Sequence, residues 1–176
     1  DDSKAYGLFR QASDDGHPTA PFNIARMYRD GRAPDGGNAN SAVEWFAEGL
    51  SRGHARSGSN AAHLIMSQGA SNYDAFDAAV FAAKGASLRG NRYAAEAQEL
   101  LGAFQPQPLD AGTQRLNVDL GGQIEVHGAF GPSSQSAMQA VLDQYDAGVA
   151  QTDPMARLLQ LATLSWRTNP FRVDLY

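Results

Sequence analysis

The sequence predicts an all-α fold: a right-handed α/α superhelix of stacked helix pairs, followed by a small, mostly helical C-terminal module. Glycine recurs at an interval of 37 residues, at Gly16, Gly53 and Gly90. Alanine keeps the same interval, at Ala5, Ala42 and Ala79. Apolar residues in between follow helical spacing, as in residues 4–12. A period of this length is typical of repeats in which one helix pair cannot bury its apolar face alone.

Each unit is predicted to contain two helices separated by a turn glycine. The helices are expected at residues 4–12 and 18–29, 41–51 and 55–66, and 73–88 and 91–104. Glycine in the turn suits the end of a helix, because it accepts the left-handed conformation that other residues avoid. The third unit has polar residues where the first has Ile24 and Ala25, which is typical of a terminal repeat.

Residues 105–112 are predicted to be a linker, because they contain two prolines and no apolar periodicity. The predicted domains are therefore helical repeats at 1–104, the linker, and a module at 113–176. Within this module, residues 115–134 suggest a loop with a short hairpin. Two helices are expected at 136–145 and 155–166, and a short, partly apolar tail follows.

Composition excludes several classes of function. The net charge of −5 and the lack of a basic stripe argue against nucleic-acid binding. No stretch approaches the roughly 18 apolar residues that a membrane span needs, so no membrane insertion of this segment is expected. There is no cysteine, and no histidine has a second histidine or a carboxylate three or four residues later. We therefore expect no metal, no cofactor and no enzymatic activity.

The repeats resemble the Sel-one-like family, which is related to tetratricopeptide repeats. The matching positions are the turn glycines with the residues that follow them, and the aromatic pair Trp45 and Phe46. The resemblance covers residues 3–104, with two departures: Ser57 replaces an alanine, and Gly69 is one position late. It implies an adaptor that holds a protein or peptide partner in a concave groove, as part of a larger bacterial protein.

Stacked helix pairs are expected to leave the first helix of each pair along an inner surface. The residues predicted to line the partner-binding groove are Thr19, Phe22, Arg26, Arg29, Arg56, Ser59, His63 and Met66. The prediction extends to Tyr93, Glu96 and Leu100. Aromatic residues, Met and Arg in this set suit a peptide-binding surface.

The C-terminal module is similar to the end of the peptidoglycan-binding-like domain. Gly128, Phe130, Gly131 and Pro132 match its turn motif, while His127 stands where that family has Asp. The alternative function is thus that of a cell-envelope peptidoglycan-binding protein, with the repeats as a spacer. The candidate glycan-binding residues are Gln135, Tyr145, Trp166 and Arg167. Both resemblances imply a periplasmic or envelope location, and the absence of cysteine also fits the cytoplasm.

Overall fold

The computed structural model describes residues 1–88 and 92–168, and every regular element in these ranges is an α-helix. The repeat region begins with α1 at Asp2–Asp14, α2 at Ala20–Arg29, α3 at Ala39–Ser51, α4 at Ala55–Gln68 and α5 at Ala75–Ala86. The last helix of this region is α6 at Ala94–Gly102. It is followed by α7 at Pro106–Asp119, α8 at Pro132–Gln144 and α9 at Pro154–Arg167. The all-α prediction is confirmed.

The first two turn glycines adopt the same geometry. Gly16 and Gly53 have positive φ angles of 87° and 88°. The amide after each glycine donates to the carbonyl five residues earlier, at 2.9 Å in the first turn and 3.0 Å in the second. The 37-residue interval therefore corresponds to a repeated backbone structure at these two positions. Gly90, the third turn glycine of the prediction, lies outside the described residues.

Successive helices from α1 to α6 pack against one another, and α3 and α4 also contact α5 and α6 respectively. Small residues permit the closest of these approaches. A Cβ atom added to Gly58 on α4 would lie only 2.5 Å from the carbonyl oxygen of Phe81 on α5, and one added to Gly85 only 2.8 Å from that of Ala55. Glycine at these positions lets the two helix backbones touch, which no larger residue would allow.

The predicted linker at 105–112 is wrong, because most of it belongs to α7. Gln105 is the N-cap residue, with extended backbone, and Pro106 is the first residue of the helix. The first amides of a helix have no partner within it, so Pro106 and Pro108 lose no helical hydrogen bond there. Helix α7 packs against α5 and α9, and α9 also contacts α5. The C-terminal helices therefore lie directly on the repeats.

The predicted hairpin is also wrong, since residues 120–131 contain no strand. This segment is instead held by the buried side chain of Gln114 on α7. Its Oε1 accepts hydrogen bonds from the amides of His127 and Gly128, both at 2.9 Å. Its Nε2 donates to the carbonyl oxygen of Ala129 at 3.0 Å and to the hydroxyl of Ser134 at 3.3 Å. One side chain thus fixes the loop that precedes α8.

Candidate partner-binding surface

The eight residues predicted to line the groove lie together on one pair of helices. Four belong to α2 or its N-cap, and four belong to α4. These are the second helices of the first two pairs, so the surface they form is not that of the first helices, which the repeat prediction assigned to the inner side. The residues are brought together, but on the other helix of each pair.

Their exposure divides the set. Thr19, Arg26, Arg56, His63 and Met66 are exposed. Arg29 is half-buried, whereas Ser59 and Phe22 are buried at 8 % and 6 % exposure. The Phe22 ring packs on Phe46 and His54, with centroids 5.6 Å and 4.4 Å away. The prediction that Phe22 is a contact residue of the groove is therefore wrong: the ring fills the interface between α2, α3 and the start of α4.

The Phe22 ring instead lies between the core and two arginine side chains, which pack over it. The guanidinium carbons of Arg26 and Arg56 lie 6.0 Å and 5.8 Å from its ring centroid. Arg56 also lies 5.0 Å from the ring centroid of Tyr93, and Arg92 lies 4.6 Å from that same ring. We call these five residues the arginine ladder, because three cations alternate with two aromatic rings across α2, α4 and the start of α6.

A groove of about 440 Å³ continues from the ladder between α4 and α6. The residues that line it are Ser59, Asn60, His63, Glu96, Glu99, Leu100 and Ala103. Four of these were predicted from the sequence: Ser59, His63, Glu96 and Leu100. We call this feature the α4–α6 groove.

The two walls of the α4–α6 groove are equivalent positions in successive units. Ser59 and Glu96 are 37 residues apart, and so are His63 and Leu100. The same interval from Met66 leads to Ala103, which sequence reasoning missed although the period identifies it. Asn60 was missed as well, although Asn23 lies 37 residues before it. Glu99 and Arg92 were also missed, and no periodic signal marks these two.

The charges on this surface differ in how they are paired. Arg29 binds Asp30 at 2.8 Å and Asn60 at 3.3 Å, and this guanidinium holds the pKa of the Asp30 carboxyl below its usual value. Among the described residues, Arg26 and Arg56 form no ion pair with a carboxylate. Their charges remain available to a ligand.

His54 is the N-cap residue of α4 and lies beneath the ladder. Its Nδ1 lies 2.9 Å from the Ser57 hydroxyl. Burial, and then the neighbouring charge of Arg56, lower the pKa of the His54 imidazole below its ordinary value of 6.5. The neutral form is therefore favoured, and the positive charge of the surface comes from the arginines.

The four candidate glycan-binding residues differ in exposure: Arg167 is exposed, Gln135 and Tyr145 are half-buried, and Trp166 is buried. Trp166 is only 4 % exposed, and its indole N–H donates to the Ser87 hydroxyl at 2.8 Å. The prediction that Trp166 offers a stacking platform is therefore wrong, because its ring is part of the interface between α5 and α9. Arg167 donates to the carbonyl of Tyr145 at 3.4 Å, and Gln135 to that of Ala150 at 3.4 Å. These polar groups connect segments of the module to one another.

Within the described ranges, no group of three His, Cys, Asp or Glu side chains is arranged to hold a metal ion. No helix in the same ranges is long and apolar enough to cross a membrane.

Comparisons of the chain with protein-family models, with curated proteins and with solved structures gave no significant match.

Proposed function

We propose that the chain is a non-enzymatic protein-interaction scaffold that holds a peptide segment of a partner protein along the arginine ladder and the α4–α6 groove. In this proposal residues 3–104 are Sel-one-like repeats stacked as a right-handed α/α superhelix. The observation that carries it is the groove of about 440 Å³, whose walls are equivalent positions of successive units.

The repeated geometry supports the stacked arrangement. The turns at Gly16 and Gly53 share one φ angle to within a degree and one hydrogen-bond pattern. In the second and third units, α3 contacts α5 and α4 contacts α6, as stacking of equivalent helices produces. A surface built this way extends along the stack, and extended surfaces of this kind suit linear segments of other proteins.

The composition of the surface supports a peptide ligand. The α4–α6 groove has an apolar wall at Leu100 and Ala103 and polar groups at Asn60, His63 and Glu99. Apolar contacts would contribute affinity, and the polar groups could pair with the main chain and side chains of a bound segment. The adjacent ladder adds arginine, a residue type enriched at interfaces.

The alternative function, peptidoglycan binding by residues 113–176, gains no support from this geometry. Of its two aromatic candidates, Trp166 is buried, and Tyr145 is half-buried and its hydroxyl donates to the carbonyl of Leu120 at 3.4 Å. The turn motif at 128–132 is held internally by Gln114. No observation favours it over the groove.

A peptide-display selection tests the proposal. Random linear peptides on phage are selected against the intact chain, and enriched sequences are synthesised and titrated by fluorescence anisotropy. We expect His63→Trp/Ala103→Trp, which fills the groove, to weaken binding by at least about tenfold, equivalent to roughly 1.4 kcal/mol. Leu8→Trp/Val149→Trp is the matched control, since both residues are exposed, at 57 % and 77 %, and lie outside the groove.

Circular dichroism verifies that both double variants retain their helices. Failure to enrich any peptide, or equal binding by the filled variant and the wild-type chain, would reject the groove as the binding site.

A further inference from the structure

The arginine ladder is a local strip of positive charge on an acidic protein. The chain as a whole has a net charge of −5. Three guanidinium groups nevertheless follow one another across α2, α4 and the start of α6, and each lies within 6.0 Å of the Phe22 or Tyr93 ring centroid. Arg26, Arg56 and Arg92 are all exposed. The sign of the local charge is therefore opposite to that of the molecule.

Among the described residues, the carboxylates around the ladder form no ion pair with its arginines. Asp30, on the C-terminal side of Arg26, is bound by Arg29 at 2.8 Å. Glu96 and Glu99 line the α4–α6 groove.

Stacking on an aromatic ring prepares a guanidinium for an anion. A guanidinium that contacts a ring through its face can keep N–H groups for an acceptor. In Arg92 one of these groups donates to the Tyr93 hydroxyl. The N–H edge of a guanidinium matches a carboxylate, which can accept two parallel hydrogen bonds from it. Because Arg56 lies between Phe22 and Tyr93, the rings that carry the other two arginines, the three cations form one continuous row.

We propose that the arginine ladder binds an acidic segment of the partner protein, with Asp or Glu side chains paired to Arg26, Arg56 and Arg92. This inference rests on the proposed function and specifies the chemistry of its partner. Glu96 and Glu99 limit how far the acidic stretch can extend, because their like charges in the α4–α6 groove repel it. The negative charge of the remaining surface opposes binding of the same segment elsewhere, so the ladder also fixes where it docks.

Synthetic peptides test the proposal directly. A fluorescein-labelled peptide of alternating Glu and Gly is titrated against the intact chain, beside matched peptides with Gln or Lys in place of Glu. We expect binding of the Glu peptide only. Each of Arg26→Gln, Arg56→Gln and Arg92→Gln should weaken it, with about a tenfold loss for a fully paired arginine.

Arg10→Gln is the matched control. Arg10 also stacks on an aromatic ring, with its guanidinium 4.9 Å from Trp45, and forms no ion pair among the described residues, but it lies on α1 away from the ladder. Arg56→Lys keeps the charge and removes the planar fork, so an intermediate loss is expected if paired geometry matters. Raising the ionic strength from about 0.05 M to about 0.3 M should weaken binding of the Glu peptide.

The outcomes separate this inference from the proposed function. If display-selected peptides bind the groove but neither acidic residues nor ladder variants affect them, the acidic-segment inference is wrong and the scaffold function stands. Equal losses in Arg10→Gln and the ladder variants would overturn it as well. Tighter binding of a single-stranded oligonucleotide than of the Glu peptide would replace it with a general polyanion site. If the Glu peptide binds the ladder while filling the groove has no effect on any peptide, the groove proposal fails and the ladder assignment stands.

Discussion

The repeat region and the C-terminal helices are built from the same kind of element but are held together differently. In α1 to α5 the fully buried positions are mainly small or apolar, and alanines such as Ala42, Ala61 and Ala79 have no exposed surface. In α7 and α9 the interior also contains amide and charged groups, including Gln114 and Arg157. The repeats depend on close approach of backbones, and the C-terminal helices depend on particular polar pairs.

This difference shows how each region can be changed. Small-residue packing can be copied from unit to unit, because it needs only a residue of suitable volume at each contact. A buried polar pair requires two specific partners, and removing one partner leaves the other without compensation. We therefore expect single substitutions of buried polar groups in the C-terminal region to lower stability strongly. In the repeats, the effect of enlarging one side chain should depend on the size of the side chain it contacts.

The largest effect is expected at the pair formed by Asp110 on α7 and Arg157 on α9. Their side chains lie 2.8 Å apart and are only 12 % and 10 % exposed. Asp110→Ala should lower the free energy of unfolding by about 3 kcal/mol, because the guanidinium of Arg157 is left buried without its carboxylate. Urea denaturation measures this change.

Two variants make the result specific. Asp110→Leu/Arg157→Met replaces both charges by apolar groups and should return to within about 1 kcal/mol of the wild-type stability. Asp2→Ala, which breaks the exposed pair with Arg32 in the repeats, should have no measurable effect. If Asp110→Ala were as stable as the wild-type chain, the contrast between the two regions would not hold.

The same contrast explains how much of the fold could be predicted. The period and the helical spacing correctly indicated α1 to α5, since these elements follow from local patterns that recur. They could not identify the loop held by Gln114, because its hydrogen bonds join residues 13 to 20 positions apart that share no pattern. Pro106 was misinterpreted for a related reason: a proline ends a helix or begins one, and only the packing of α7 on α5 decides between them.

The candidate surface was predicted to a similar extent. The period identified positions such as Ser59, His63 and Glu96, which the structure brings to one groove. It could not reveal that Phe22 is buried under two arginines, because that depends on how α2 meets the start of α4. The resemblance to the peptidoglycan-binding-like domain led to the assignment of Trp166 to a glycan site, although a tryptophan with apolar neighbours is equally suited to a helix interface.

The second prediction tests whether two contacting positions in the repeats compensate for each other in side-chain volume. The first and third units have alanine at two equivalent positions, whereas the second has Gly49 and Ser57. A Cβ atom on Gly49 would lie 2.6 Å from the Ser57 hydroxyl, which is buried. Gly49→Ala should therefore lower the free energy of unfolding by about 1 kcal/mol, the steric cost exceeding the gain in helix propensity.

In the Ser57→Ala background the same change should be stabilising by up to about 1 kcal/mol, because the hydroxyl is gone and only the propensity gain remains. A double-mutant cycle measures the coupling, expected at about 2 kcal/mol. Gly7→Ala is the control, since a Cβ atom at Gly7 meets no atom within 4 Å. Additive effects of the two substitutions would mean that the side chains at positions 49 and 57 do not compensate for each other in volume.

The smallest effect is expected at His54, an exception to the largely apolar packing of the repeats. Its pKa in the folded chain lies below the ordinary value of 6.5, because burial next to Phe22 and Arg56 disfavours the charged form. The unfolded chain therefore binds a proton more readily, and stability should be complete above pH 6.5 and fall as the pH drops below it. Urea denaturation at a series of pH values measures this slope.

His54→Gln should reduce that slope, because glutamine takes up no proton. His17→Gln is the matched control, since His17 occupies the equivalent position in the first unit but is exposed. An equal reduction in both variants would show that the burial of His54 has no energetic consequence. A reduction confined to His54→Gln would show that the second unit, unlike the first, stabilises its turn through a neutral imidazole, and that acidification weakens the repeats at the base of the arginine ladder.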